Sequence, residues 1–395
     1  MAISAQYLVM QALTLCRGYA FETPLHLYLK EQFRSRKQMG ARDRRWMREL
    51  VYCWYRPGNS LVSMTDEQRL LVSFFLSHTE NDQLSEIMSS ALPEINFHHI
   101  KLPSAEKMSL VKAAFPAFDF SKIFPFADLI SQLLDLPVFE QGLLVQPKVW
   151  LRLQRGKKAA ILEQLNKAAI PYSELQDFPD ALSVAPQAAL HTLDFMLKGW
   201  AEVQDLSSQQ TGSLYHPKTN EHWYDCCAAS GGKSLLLKSM ESSVRLTVSD
   251  NRESILTNLR ERFRKTGLRT ESSFVADLSV SPPSSIPSGS LDGIIADVPC
   301  TGSGTWSRSP EQIQIFKKED LLKYTTIQQA ILRNVNELLK PGKPLIYSTC
   351  SVFHAENEAI VEYAEKELGL KCEVMNLFQG TKFGADTLFA ARLIR

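Results

Sequence analysis

A chain of 395 residues is long enough for two or three domains with cores of their own, and its 44% hydrophobic and 22% charged content are those of an ordinary soluble protein. No run approaches the roughly 18 consecutive apolar residues of a membrane span, and the start, Met1-Ala2-Ile3-Ser4-Ala5, lacks a basic segment followed by an apolar one, so a cytoplasmic, monomeric protein is expected. Seven cysteines, an odd number with none in a Cys-x-x-Cys or Cys/His spacing, argue against a disulfide framework and a metal site, and a net charge of +1 argues, on its face, against a polyanionic partner.

The charge distribution says more than the sum. From about 1 to 140 apolar residues recur three and four apart (Tyr7, Val9, Met10, Leu13), which predicts a helical domain. Residues 1–60 carry Arg17, Lys30, Arg34, Arg36, Lys37, Arg42, Arg44, Arg45, Arg48 and Arg56 against only Glu22, Glu31, Asp43 and Glu49. Residues 61–100 reverse this, with Arg69 alone against six acids. A local basic face is therefore hidden in the total. With Trp46, Tyr52 and Trp54 interleaved, it suits RNA, although a solvated face over an aromatic core is the commoner arrangement. Leu76 to Phe126, punctuated by Ser, Pro and His, gives no helix boundaries.

Residues 146–200 change character. Val149 to Leu153 reads as a strand, Lys157 to Ala169 as a helix and Leu182 to Val184 as a second strand, a small α+β module with a basic edge at Arg152, Arg155, Lys157 and Lys158. From 201 the alternation becomes regular. Strands are expected at 223–227, 245–249, 272–276, 294–296 and 345–347, with helices from Ser234, from Asn251 to a stop at Gly267, and from Lys318 to Leu339. Such alternation predicts a doubly wound, mostly parallel α/β sheet over 201–395. Ser281 to Ser290 is a flexible loop.

The chemistry gathers where these strands end, since an open α/β sheet binds ligands at the carboxyl ends of its strands. The first strand runs into Ala228-Ala229-Ser230-Gly231-Gly232-Lys233, where the glycines let backbone approach a ligand at a helix N-terminus. Asp250 ends the second strand, nineteen residues after Gly231, where a carboxylate can accept both ribose hydroxyls; Arg252 follows it. Asp277 ends the third, placed to meet an adenine amino group. Acids at successive strand ends serve no sheet core, so a nucleoside-bearing cofactor is expected. With no phosphate-cradling loop, S-adenosylmethionine fits, and a methyltransferase follows.

Asp297, Cys300 and Cys350 bear on the methyl acceptor. Cytosine C5 is a poor nucleophile, but a thiolate added to C6 turns the ring into an enamine whose C5 can attack a sulfonium methyl. A carboxyl group at N3 and the exocyclic amine would hold the base, and Asp297 is a candidate. Of two cysteines at neighbouring strand ends, one can attack and the other assist release. An N-methyltransferase would need no thiol and usually carries Asn/Asp-Pro-Pro-Tyr/Phe here, where this chain has Asp297-Val298-Pro299-Cys300.

Four segments in order, Val203 to Gln209, Asp225 to Lys233, Asp297 to Thr305, and Ser348 to Val352 with Glu356-Asn357-Glu358, resemble the RsmB/Fmu (Sun) family of S-adenosylmethionine-dependent RNA cytosine-5 methyltransferases. The module at 146–200 resembles that family's small RNA-recognition-like subdomain, and the helical part, with Asp43-Arg44-Arg45, the NusB-type RNA-binding domain of some members. The resemblance implies that Cys350 is the C6 nucleophile, that Cys300 promotes product release, that Lys233 and Asp297 border both cofactor and base, and that the Gly231 loop, Asp250 and Asp277 hold the cofactor. Two departures stand out: Ser230 where the family usually has Pro, and Val298 where it usually has Ala. A flipped-out or single-stranded cytosine is expected, because C5 and C6 of a stacked base cannot be reached on both faces. Ribosomal RNA is the favoured substrate and transfer RNA the second. A non-catalytic RNA-binding or ribosome-assembly factor that keeps the fold is the rival from another class.

Overall fold

The computed structural model describes residues 4–36 and 38–395, so the first residues read above and the basic Lys37 lie outside the described residues. Contacts divide the chain into two units, the first running to Asp128 with Asp135–Pro147 and Thr305–Lys317, the second holding Leu129–Leu134, Lys148–Gly304 and Lys318–Arg395.

The first unit is helical: Ala5–Arg17, Leu25–Ser35, Ala41–Tyr55, Asp66–Ser77, Gln83–Ser89, Ser104–Ala114 and Leu136–Leu143. Side-chain caps set several starts, Ser4 accepting from the Tyr7 amide and Asp82 forming a reciprocal capping box with Ser85. Trp46 is buried with Leu50, while Arg42, Arg45 and Arg48 stay exposed on the same helix. That aromatic therefore belongs to the core, and Arg42 lies over its ring at 4.9 Å. Residues 305–317, which follow the Gly302/Gly304 loop in sequence, pack inside this unit. Trp306 meets Phe124, Phe126 and Phe316, and the buried Arg56 donates to the Ser307 carbonyl at 2.8 Å.

The second unit holds two sheets. The smaller is antiparallel in the order β2-β3-β1-β4, from β1 (Val149–Leu153), β2 (Tyr172–Glu174), β3 (Ala181–Val184) and β4 (Ala201–Val203). Its helix, Lys158–Lys167, buries Ile161 and Leu165 against Leu151, Leu182 and Phe195. The fourth strand lies just past the boundary read at 200.

The larger sheet takes β5 (His222–Asp225), β6 (Arg245–Asp250), β7 (Ser272–Val275), β8 (Gly293–Asp297), β9 (Pro344–Thr349), β10 (Lys371–Gln379) and β11 (Thr387–Ile394) in the order β10-β11-β9-β8-β5-β6-β7. The run from β7 to β9 is parallel, and β11 is antiparallel to β9 and β10, so the expected mostly parallel sheet is present. Successive residues bury opposite faces. Trp223, Ile295 and Ile346 join Leu235 and Leu256 in one layer; Tyr224, Ile294, Leu345 and Tyr347 join Ile331, Val335 and Val361 in the other. Both faces being covered explains why these strands read as continuous apolar runs. The helix Glu253–Thr266 ends at Gly267, whose φ of 70° is the left-handed stop expected of it. Strand order reverses at β5, between β6 and β8, which places the crevice at the carboxyl ends of these strands.

Candidate active site

Five parallel strands bring their carboxyl ends to one edge. β5 ends at Asp225 and turns through Ala228 to Gly231, closed by the Gly231 amide on the Ala228 carbonyl at 2.8 Å. Ala229 takes a φ of 44° and Gly231 one of 85°; a Cβ on Gly231 would come within 2.9 Å of Leu259, so only glycine fits there. The helix Gly232–Met240 then starts, and a Cβ on Gly232 would meet only Gln204 Nε2, at 4.0 Å.

Asp250, almost fully buried, accepts from the Ala229 amide at 3.0 Å and from the amide and Nε of Arg252, each at 3.0 Å. Two residues read as cofactor ligands are thus brought together with the loop. Asp277, two residues past β7, is exposed, and its Oδ1 accepts from the Ser279 amide and hydroxyl.

Lys233 projects from the first turn of that helix and pairs with Asp297 at 2.7 Å, its side chain only 9% exposed. Burial opposes its charge, but the Asp297 carboxylate outweighs burial, with Cys350 and Asp225 adding, and the ammonium is held above its ordinary range. The other Asp297 oxygen accepts from Ser348 at 2.9 Å, one strand over. Beside this pair lies a strand-end acid that the sequence did not mark as a site residue. Asp225 is 1% exposed; its Oδ2 accepts from Ser234 at 2.6 Å, while Oδ1 has no hydrogen-bond partner among the described residues. Burial raises its carboxyl to about 7, Asp297 adds, and Ser234 and Lys233 do not offset the two.

The two cysteines meet. Cys300 follows β8 and Cys350 follows β9, and their sulfurs stand 3.3 Å apart. The hydrogen bond with Cys350, burial and the nearby Glu356 all push the Cys300 thiol up, toward keeping its proton. Lys233, by contrast, is a cation whose charge Cys350 favours.

Glu356 and Asn357 brace both cysteine loops, a role their sequence did not reveal. Fully buried, Glu356 accepts from the amide and hydroxyl of Thr301 at 2.9 and 2.6 Å and from Gln328 at 3.1 Å, and Gln328 also donates to the Pro299 carbonyl. Asn357 accepts from Thr349 at 2.7 Å and donates to the Ser351 carbonyl at 2.9 Å. Gly304 completes the set: its amide bonds the Cys350 carbonyl at 2.8 Å, and a Cβ there would sit 2.0 Å from the Thr387 carbonyl oxygen.

Residues 213–391 match the family described as 16S rRNA methyltransferase RsmB/F. Ribosomal RNA small subunit methyltransferase B of Klebsiella pneumoniae is 29% identical over 214 residues, 54% of this chain and 49% of that protein. The protein of the same name from Proteus mirabilis is 26% identical over 249 residues, 62% of this chain and 58% of its own. The chain spans about half the length of the curated relatives it matches. Among solved structures, PH0851 matches over 100% of both chains at a TM-score of 0.70 and 18% identity. NSun6 from Pyrococcus horikoshii, solved with SFG, matches 63% of this chain and 91% of its own at a TM-score of 0.56 and 17% identity. These structural likenesses are likenesses of fold.

Proposed function

Residues 213–391 being a methyltransferase domain of the RsmB/F family, we propose that the chain methylates C5 of a cytosine in ribosomal RNA through a covalent bond from Cys350 to C6. The observation that carries this reading is the pair of sulfurs 3.3 Å apart at the ends of adjacent strands, one beside Lys233 and the other beside Glu356. A methyl transfer to an amino group has no use for two thiols.

The residues at the ends of β5, β6 and β7 fit S-adenosylmethionine. Gly232 opens a helix N-terminus without a side chain, the loop is not of a phosphate-cradling kind, and the buried Asp225 Oδ1 has no hydrogen-bond partner among the described residues. Ala228 to Lys233, Asp250, Arg252, Asp277 and Asp297 would hold it. When bound, it supplies the electrophilic sulfonium methyl that C5 takes up.

The rest is done by the chain. The Cys350 thiolate forms the S–C6 bond and drives an electron pair toward C5. Asp297, held by Lys233 and Ser348, would accept from the exocyclic amine of the pyrimidine. After methylation solvent water takes the C5 proton, the C–H pair re-forms the C5=C6 bond, and the S–C6 pair leaves on the Cys350 sulfur. Cys300, which keeps its proton, can donate to the departing sulfur.

Purified protein, tritiated S-adenosylmethionine and unmodified ribosomal and transfer RNA test the reading, followed by nucleoside analysis. Label in 5-methylcytidine of ribosomal RNA is the expected result. Label confined to transfer RNA would change the substrate, label in another nucleoside would end the cysteine mechanism, and cofactor binding without turnover on any RNA would favour the binding-factor alternative.

A further inference from the structure

The cofactor loop holds Ser230 between Ala229 and Gly231, which take φ angles of 44° and 85°. Serine, unlike proline, does not fix its own φ, so nothing in its covalent structure restrains the turn. A non-glycine residue at positive φ, as Ala229 is, is strained and persists only where its surroundings over-determine it.

The surroundings supply the missing restraint. Arg262, on the helix Glu253–Thr266, donates from Nη1 to both the carbonyl and the hydroxyl of Ser230, at 2.7 and 2.9 Å. The other edge of the guanidinium is fixed as well, Nε and Nη2 donating to Oε2 of Glu202 at 3.0 and 2.6 Å. Glu202 lies on β4, opposite Arg152 of β1, so its own backbone is held in the small sheet. Its side chain is 15% exposed and that of Arg262 23%, shielded enough for these charge-assisted bonds to act with little competition from water. A planar fork with both edges in use cannot swing without breaking one set of bonds.

We propose that Arg262, anchored by Glu202, is a positioning residue for the cofactor loop, holding Ser230 so that Ala229 stays on Asp250 and Lys233 on Asp297. An ion pair that merely joined β4 to the helix would need no bonds to Ser230. Here two of the four side-chain hydrogen bonds of Arg262 go to the loop residue that lies between two positive-φ positions. The residues after it, Gly231 to Lys233, carry the helix start and the cation of the site. The small sheet thereby gains a mechanical connection to the cofactor site. The inference rests on the reading of that loop as the cofactor's.

Two readouts test it, amide hydrogen exchange of residues 226–233 in the cofactor-free protein and calorimetric binding of S-adenosylmethionine and S-adenosylhomocysteine. Arg262→Met keeps the aliphatic stem and removes the fork. It should speed loop exchange and weaken cofactor binding, each about tenfold, the scale of lost charge-assisted hydrogen bonds. At saturating cofactor, kcat should stay within about twofold, so the loss falls on the cofactor KM. Glu202→Gln should do the same more weakly, and Glu202→Gln with Arg262→Met should be no worse than Arg262→Met alone, since Glu202 acts through Arg262. Ser230→Ala, which keeps the carbonyl bond, gives a milder loss and serves if the methionine variant does not fold. Unchanged loop exchange in Arg262→Met or Ser230→Ala, or additive losses in the double variant, would overturn the proposal. If the wild-type protein binds neither cofactor, the functional reading falls, while loop exchange still judges the brace.

Discussion

The strands of the large sheet carry acids at both ends, and the two ends have opposite electrostatics. β5 follows Glu221 and ends at Asp225, and β8 follows Asp292 and ends at Asp297. At the amino end of these two strands both acids are answered. Lys340 and Lys343 pair with Asp292 and Glu221 at 2.8 Å, the His222 amide donates to Asp292, and Trp223 Nε1 donates to Glu221. Burial alone would raise both carboxyls, but these partners outweigh it and both are held below the usual carboxylate range. At the carboxyl end burial raises Asp225 to about 7 and pushes Glu356 up, while the hydrogen bond with Cys350, with burial, pushes Cys300 up. The same residue types at the two ends of these strands thus give a quiet cluster where both acids are paired and a perturbed one where a buried Asp225 oxygen has no partner among the described residues. What separates them is solvent access and donor supply, not the strands.

Deleting the thiols would strain this contrast most. Cys350→Ala should lower methylation more than about a thousandfold while leaving cofactor affinity within a few-fold of wild type, because the covalent step is lost and the loop is not. Cys300→Ala should instead accumulate a protein–RNA adduct, resolved as a retarded band on a denaturing gel, since attack by Cys350 proceeds and release stalls. Retained turnover in the first variant would make the carboxyl end as inert as the amino end. Normal turnover without adduct in the second would reduce Cys300 to a buried thiol.

How much of this the sequence carried depends on distance along the chain. The loop from Ala228 to Lys233 and the acids Asp250 and Asp297 are legible because each follows a short apolar strand, and the parallel strands announce themselves through runs buried on both faces. The antiparallel pair β10 and β11 went unread. β10 is only half-buried, and an irregularity between Cys372 and Val374 breaks the alternation that would mark it. The braces were invisible for another reason. Thr301 and Glu356 are 55 residues apart and Glu202 and Arg262 are 60 apart, and nothing local in either member names its partner. Asp225 was seen as a strand end but not as a buried carboxylate, since only the pairing of β5 with β8 sets it beside Lys233 and Asp297.

That carboxylate allows a test by pH. The unfolded Asp225 titrates near 4 and the folded one at about 7. Below pH ~4 both states are protonated and the group is neutral to stability. Between these values the folded state keeps a proton the unfolded state has lost, so stability falls as pH rises, and above about 7 the penalty is complete. Asp225→Asn should remove this slope, and its effect on unfolding free energy should be more favourable at pH 8 than at pH 5 by about 2 kcal/mol. Urea unfolding at the two pH values reads it. An effect independent of pH would mean the buried oxygen is not paying for its charge, and the contrast between the sheet ends would lose its sharpest member.

The smallest effect belongs to the amino end. Lys343, its side chain 30% exposed, pairs with Glu221 at 2.8 Å and with Asp292 at 3.4 Å. The lysine end of these pairs is partly open to solvent and screened, so Lys343→Met should cost no more than about 1 kcal/mol at low salt and less at high salt. The sign with pH is opposite to that of Asp225. Glu221 and Asp292 are held below their unfolded values, so the contribution of the pair is present above pH ~4 and is lost as pH falls through the folded values. The deficit of the variant should therefore shrink in acid, and cofactor affinity and methylation should match wild type throughout. A deficit of several kcal/mol, or any change in cofactor binding, would show that the two ends of the sheet are coupled, and that the quiet charges at one end help set the reactive ones at the other.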